Sequence, residues 1–263
     1  EAALASANVM LSDLIALMPN AIEPRLLRAR CLQLLGESNA AREQIESAVN
    51  LQPSNPSLRI DLARLQTETG DRNEATRTLI EVAAVADRLT PEQRAGVASM
   101  FMQLGESERV IEMVTRIDPS KRLTGEELLL AQAYLGQGRL DDAEPIINRL
   151  YDKSVDPLTI QLSAELLARQ GKTEQAKARL AELNDVNTDE ALKNLLNAEF
   201  AQRYADPTEG HEFLKQAAAA SPKSPLVWAK LISYEVRADK IEEALASAVK
   251  ARARISPPVV SFQ

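Results

Sequence analysis

The sequence has one cysteine and one histidine, Cys31 and His211, which excludes a disulfide framework and the usual Cys/His zinc sites. Aromatic residues are also scarce: four Phe, four Tyr and one Trp in 263 residues. That is too few for extensive base stacking or for a large cofactor cavity walled by rings. No apolar run approaches the ~18 residues of a spanning helix. Basic residues are outnumbered, 31 against 38 acidic, for a net charge of −7, which argues against nucleic acid or an anionic lipid surface as partner. Phosphate-cradling G-x-x-x-x-G-K-[ST] is missing, and Gly136-Gln137-Gly138 follows no strand pattern, so it reads as a turn and not as half of a dinucleotide fingerprint. With 45% hydrophobic residues, the chain can nonetheless build a sizeable core.

Its few glycines are in phase. Gly36, Gly70, Gly105, Gly138 and Gly171 follow one another at intervals of 34, 35, 33 and 33 residues, each between two helical patterns, as in Leu58 to Thr69 and Glu74 to Ala86. The unit is therefore a helical hairpin. Seven residues before each glycine stand Ala29, Ala63, Ala98, Ala131 and Ala164. Five after it come Ala41, Ala75, Val110, Ala143 and Ala176. Small side chains are needed where two helices approach closely. Aliphatic residues follow four and seven positions further on, from Ile45 and Ala48 to Leu180 and Leu183, giving one inward face. The register continues without the turn glycine through Ala198, Gly210, Leu214 and Ala217, then through Trp228, Leu231, Ala244, Ala248 and Ala251.

The expected units are 22–55, 56–90, 91–123, 124–156, 157–190, 191–224 and 225–258, preceded by the second helix of a leading repeat at 1–21 and followed by the start of another, or a tail, at 259–263. Pro56, Pro91, Pro157 and Pro225 open units, where a missing N–H costs least. Pro19, Pro53 and Pro222 close them. Pro145 falls early inside a second helix, where it removes one hydrogen bond and can kink the axis, and the 35- and 33-residue units that flank this region make curvature least regular between 90 and 156. Glu1 falls mid-unit and Pro257-Pro258 ends a helix with Phe262 near the next aromatic position, so the chain reads as a segment of a longer repeat protein. Apolar faces at such ends favour self-association.

These offsets resemble the tetratricopeptide repeat over essentially the whole chain, with Trp228 at the family's tryptophan position and Phe101 and Tyr134 at its tyrosine position. Arg25, Arg59 and Arg94 depart at the tryptophan position, and Leu32, Gln66 and Glu235 at the tyrosine position. The resemblance implies an all-α, right-handed superhelical solenoid of helix-turn-helix repeats that acts as a non-catalytic scaffold for a protein or peptide. The cationic clamp with which some family members hold a terminal carboxylate has no counterpart: its places hold Leu26, Arg30, Asp61, Glu92 and Gly96.

First helices are expected to line the concave face. Its candidate contact residues are Leu26, Arg30, Ile60, Arg64, Met102, Leu128, Gln132, Leu158, Gln161, Glu165, Arg169, Leu195, Glu199, Arg203, Ser233 and Arg237, with Leu226 beside them. Arg169, Arg203 and Arg237 form a ladder at intervals of 34 residues. Guanidinium forks and leucines suit an extended or helical polypeptide, although the same charges can serve only as solvated ion pairs. Residues 124–156 carry 3 basic and 7 acidic side chains and residues 225–263 carry 6 and 4, an asymmetry able to orient a partner. Two other readings stay open: a regulatory or substrate-recruiting arm of a larger enzyme, and a structural module of a bacterial envelope or polymer-export assembly.

No cofactor or metal is expected. Cys31 reads as a small core residue, and His211 as a surface imidazole. Asp141-Asp142 and Glu126-Glu127 read as acidic residues at helix starts, where the helix dipole favours them.

Overall fold

The structure, a computed structural model, describes residues 2–255. The expected start of a further repeat at 259–263, Pro257-Pro258 and Glu1 lie outside the described residues. Among the described residues there are fifteen α-helices and no strand. They form two compact units, Glu1–Arg139 and Leu140–Gln263.

The first unit holds α1 (Ala2–Leu17), α2 (Glu23–Leu34), α3 (Ser38–Leu51), α4 (Pro56–Glu68), α5 (Arg72–Ala83), α6 (Pro91–Leu104), α7 (Ser107–Thr115) and α8 (Thr124–Gly136). Each helix packs on the next in sequence, and α4 also meets α6 and α6 meets α8. The second unit holds α9 (Leu140–Lys153), α10 (Pro157–Arg169), α11 (Thr173–Ala181), α12 (Glu190–Tyr204), α13 (Pro207–Ala220), α14 (Pro225–Arg237) and α15 (Ile241–Ile255), with the hairpin pairs α10/α11, α12/α13 and α14/α15 packed together. Each unit is thus an all-α stack of helical hairpins of the solenoid kind.

The alanine rows lie at the hairpin contacts: Ala29, Ala63, Ala98, Ala131 and Ala164, with Ala41, Ala75, Val110, Ala143 and Ala176, are at most 2% exposed. In the last hairpin the pattern changes. Ala244 and Ala251 are buried, whereas Ala248 is exposed and Ser247 is buried instead. Helix starts follow from the prolines and caps. Pro56, Pro91, Pro157 and Pro225 are the first residues of α4, α6, α10 and α14, as is Pro207 of α13. Thr90 and Gln93 make a reciprocal capping box, and Asp156, Asp189 and Asp206 accept from backbone N–H groups two residues on. Pro145 is accommodated within α9, in its second turn.

The five phased glycines have φ between 71° and 83°. At each, the N–H of the residue after the glycine donates to the carbonyl five residues earlier, as Glu37 does to Leu32 and Glu106 to Phe101. Asp239, two repeat lengths beyond Gly171, adopts the same left-handed conformation with φ 58°, and Lys240 N–H donates to Glu235 O at 2.8 Å. An aspartate bears a steric cost there that glycine does not, partly offset by the greater entropy glycine loses on folding. Asp239→Gly is therefore expected to stabilise the second unit by about 0.5 kcal/mol in urea denaturation, whereas a loss of stability would contradict this turn assignment. At the α12–α13 turn no residue is left-handed. There the helices come close at Gly210, where a β-carbon would lie 2.8 Å from Gln202 Cγ and 3.1 Å from Ala198 O.

The arginines that break the aromatic pattern perform the polar half of tryptophan's task. Trp228 Nε1–H donates to Pro222 O at 2.9 Å, holding the preceding loop against α14. Arg25 donates to Pro19 O at 2.6 Å, Arg59 to Pro53 O, and Arg94 to Leu89 O at 3.1 Å. Each replaces an indole N–H by a guanidinium N–H aimed at the same loop.

Candidate interaction grooves

Counted from the turn position, the same residues of neighbouring first helices enclose a cavity in each unit. Between α2 and α4 it measures about 490 Å³ and is lined by Leu26, Arg30, Gln33, Asp61, Arg64 and Glu68. Between α12 and α14 it measures about 650 Å³, and the equivalent places hold Leu195, Glu199, Gln202, Lys230, Ser233 and Arg237, with Arg203 alongside. The charges are interchanged. Glu199 replaces Arg30, Lys230 replaces Asp61, and Arg237 replaces Glu68. Burial raises the Asp61 carboxyl above the ordinary carboxylate range, and Arg64, 3.3 Å away, opposes that rise.

The arginine ladder does not behave uniformly. Arg169 is engaged: its Nε donates to Glu165 Oε1 and to the Tyr204 hydroxyl, both at 3.0 Å, while that hydroxyl donates to the same oxygen at 2.8 Å. Burial followed by Glu165 pushes the Tyr204 hydroxyl pKa up. Burial works against the Arg169 charge, but Glu165 and Tyr204 together outweigh it and the guanidinium is raised as well. With this clasp in place, only about 10 Å³ remains between α10 and α12 beside Gln161 and Glu165. Arg203, by contrast, lies 3.8 Å from Glu199, which also faces Lys230 at 3.7 Å and Gln161 at 3.2 Å. Arg237 Nε donates to the Ser233 carbonyl, leaving the rest of its guanidinium fork directed to the exposed surface.

Of the remaining expected residues, Met102, Leu128 and Gln132 are half-buried in the first unit, and Leu158 is exposed in the second. Ile60 is a correction: it is 6% exposed and belongs to the core, because α4 packs against α6 on that side as well as against α5. Cys31 is half-buried on α2, less enclosed than a core residue.

His211 is a second correction. It is not a surface imidazole but 1% exposed, enclosed by α13, α14 and α15. Its Nε2 lies 3.1 Å from Glu235 Oε1 and its Nδ1 3.0 Å from Lys240 Nζ. An ammonium group can only donate, so Nδ1 accepts and Nε2–H donates to Glu235. Ser247 Oγ donates to the same Glu235 oxygen at 3.1 Å, and Tyr234 stacks on the imidazole with ring centres 5.0 Å apart. Glu235 Oε2 is buried without a hydrogen-bond partner. Glu243 brings a third ligand-type group to within 4.8 Å of the other two. Lys240 and Lys215, 3.8 and 3.6 Å from Glu243, already supply positive charge there, so the cluster is balanced as an ion-pair network. Glu235 occupies the repeat's tyrosine position, the one sequence signal that a polar group is carried inward there.

Comparison with known proteins agrees with this geometry. The tetratricopeptide repeat family profile matches residues 127–149. No curated protein matches the chain in sequence. Among solved structures, a tetratricopeptide repeat protein from Parabacteroides merdae superposes with a TM-score of 0.63 at 17% identity, over 87% of this chain and 91% of that one. Yeast Tom70 gives 0.58 at 15% identity, over 95% of this chain and 55% of its own. The APC/C hetero-tetramer Cut9–Hcn1 gives 0.50 at 14% identity, over 98% and 51%. The chain thus spans about half the length of the last two. Its fold is that of these helical repeat structures, and one segment of it, residues 127–149, carries the tetratricopeptide repeat profile. No described helix is long and apolar enough to cross a membrane.

Proposed function

We propose that this chain is a non-catalytic scaffold whose first-helix faces receive a polypeptide partner, with the repeats divided as 22–55, 56–90, 91–123, 124–156, 157–190, 191–224 and 225–258. The observation that carries the reading is the pair of cavities in one register with interchanged charges. A surface serving only as a solvated face has no need of a cavity of this size, and ligand sites commonly enclose ~300 to 1,000 Å³. In the α12/α14 groove, Arg203, Lys230 and Arg237 outnumber Glu199, which favours an acidic segment whose apolar side chains meet Leu195. The Cut9–Hcn1 structure, similar in fold, is that of a hetero-tetramer, which supports a role in assembly with other polypeptides.

The test is capture of the partner through a photo-crosslinking amino acid at Ser233. Arg203→Glu combined with Arg237→Glu should weaken capture about tenfold or more, from loss of two charge-assisted contacts, with helicity unchanged by circular dichroism. Capture undiminished by this pair would place the partner elsewhere.

A further inference from the structure

The position eleven residues before each hairpin turn carries a large side chain at Arg25, Arg59, Arg94, Ile160 and Trp228. In the α12–α13 hairpin it is Asn194, which is buried but much smaller. Next to Asn194 lies a cavity of about 440 Å³ walled by Leu180, Phe200 and Phe213 and edged by the carboxamides of Asn184 and Asn197. In the following hairpin the equivalent space is occupied. Trp228 fills it, clustered with Leu214, Ala217 and Ala218, and Leu180 and Asn184 hold the places of Leu214 and Ala218 in the hairpin before.

We propose that this cavity is a binding site for a neutral, planar aromatic group of indole size. The walls supply two phenyl rings and a leucine, and aromatic pairs in tilted or offset contact contribute ~0.5 to 1.5 kcal/mol beyond area burial. The carboxamides offer both acceptors and donors for an N–H or carbonyl on the bound group. The charged residues at its edge are two lysines, Lys177 and Lys193, and two glutamates, Glu190 and Glu209, with Lys193 3.8 Å from Glu190. They cancel, so an uncharged ring is preferred to an ion. The site is lined by α11, α12 and α13 and is independent of the first-helix groove and of the function proposed for it.

The same ring chemistry comes from a free small molecule or from a tryptophan side chain of a polypeptide. Amide NMR of the full chain, titrated with indole and with N-acetyltryptophanamide against N-acetylalaninamide, reads both. Saturable shifts of the Asn194 and Asn197 side-chain amides and of Phe213 are expected with a ring-bearing probe and none with the alanine probe. Binding of indole alone supports the site with a small molecule as ligand, and binding only of the peptide-like probe supports it with a side chain. Asn194→Trp, which fills the cavity from within as Trp228 does one unit on, should weaken ring binding about tenfold or more and raise Tm. Should that variant not fold, Asn194→Leu fills part of the space and should weaken binding in the same direction. No saturable shift with either ring, or undiminished binding by the folded filled variant, overturns the proposal.

Discussion

Glu126→Ala should lower the stability of the protein by about 3–5 kcal/mol, one of the two largest effects expected of any single substitution, because it leaves a buried guanidinium without its counter-charge. Arg94 is 6% exposed and Glu126 is fully buried. The guanidinium meets the carboxylate in a fork, Nε to Oε1 at 2.7 Å and Nη2 to Oε2 at 3.3 Å. Its other bonds, to the carbonyls of Leu89 and Lys121, position it but do not neutralise it. Glu126 Oε2 also accepts from Leu123 N–H at 2.7 Å, so the same substitution uncaps α8. Replacing the pair by Arg94→Met with Glu126→Leu should cost far less than Glu126→Ala alone, since apolar residues of similar volume remove both desolvated charges. Urea denaturation of the full chain gives both values, and hydrogen exchange places the loss in α6 and α8. A Glu126→Ala penalty below about 0.5 kcal/mol, the size typical of exposed pairs, would show that the pair is solvated.

His211→Ala is expected to destabilise the second unit by a comparable amount, about 3 kcal/mol or more, as removal of one partner from a buried charged network. It strips Glu235 of its imidazole donor and leaves Ser247 as its one hydrogen-bond donor, while Oε2 is already unpartnered. It also removes the ring on which Tyr234 stacks and frees Lys240 Nζ from Nδ1. His211→Ala combined with Glu235→Leu should recover part of the loss, because the orphaned carboxylate is gone. A double variant as unstable as the sum of its two single variants would show that the residues act independently.

Both effects arise where side chains from different helices meet, and that is where the sequence was least readable. Periodicity sufficed for the hairpins, since a left-handed turn needs glycine and a close helix crossing needs alanine, and both leave marks at a fixed interval. Asp239 could be placed by the same interval, two repeat lengths after Gly171, although aspartate in isolation gives no sign of a left-handed backbone. By residue type Arg25, Arg59 and Arg94 are departures from the aromatic pattern. What position and loop require is an N–H donor on a long side chain, and the prolines six residues before Arg25, Arg59 and Trp228 were the available signal. His211 is not legible as a core residue, because an imidazole early in a helix beside glycine resembles a solvated turn. Gly210 instead lets α13 approach α12 closely, and α14 supplies the buried Glu235 from an unexpected position.

The grooves were legible as rows of residues but not as free or occupied side chains. Whether an arginine is available depends on what stands about one repeat away: Tyr204, 35 residues after Arg169, closes one site, and Ala238, 35 after Arg203, has no hydroxyl with which to close the next. Ile60 shows the converse, since a row position can turn into core wherever two first helices meet directly. Asn194 could have been noticed as a small residue in a row of large ones, but an asparagine there gives no indication of whether its neighbours close over it.

The most direct measurement is hydrogen–deuterium exchange of the full-length protein with and without its captured partner. Protection should appear along α12 and α14, from Leu195 to Arg203 and from Ala229 to Arg237, and Arg203→Glu with Arg237→Glu should abolish it. Protection confined to α13 and α15, with the first helices exchanging as in the free protein, would contradict a partner held on the first-helix face.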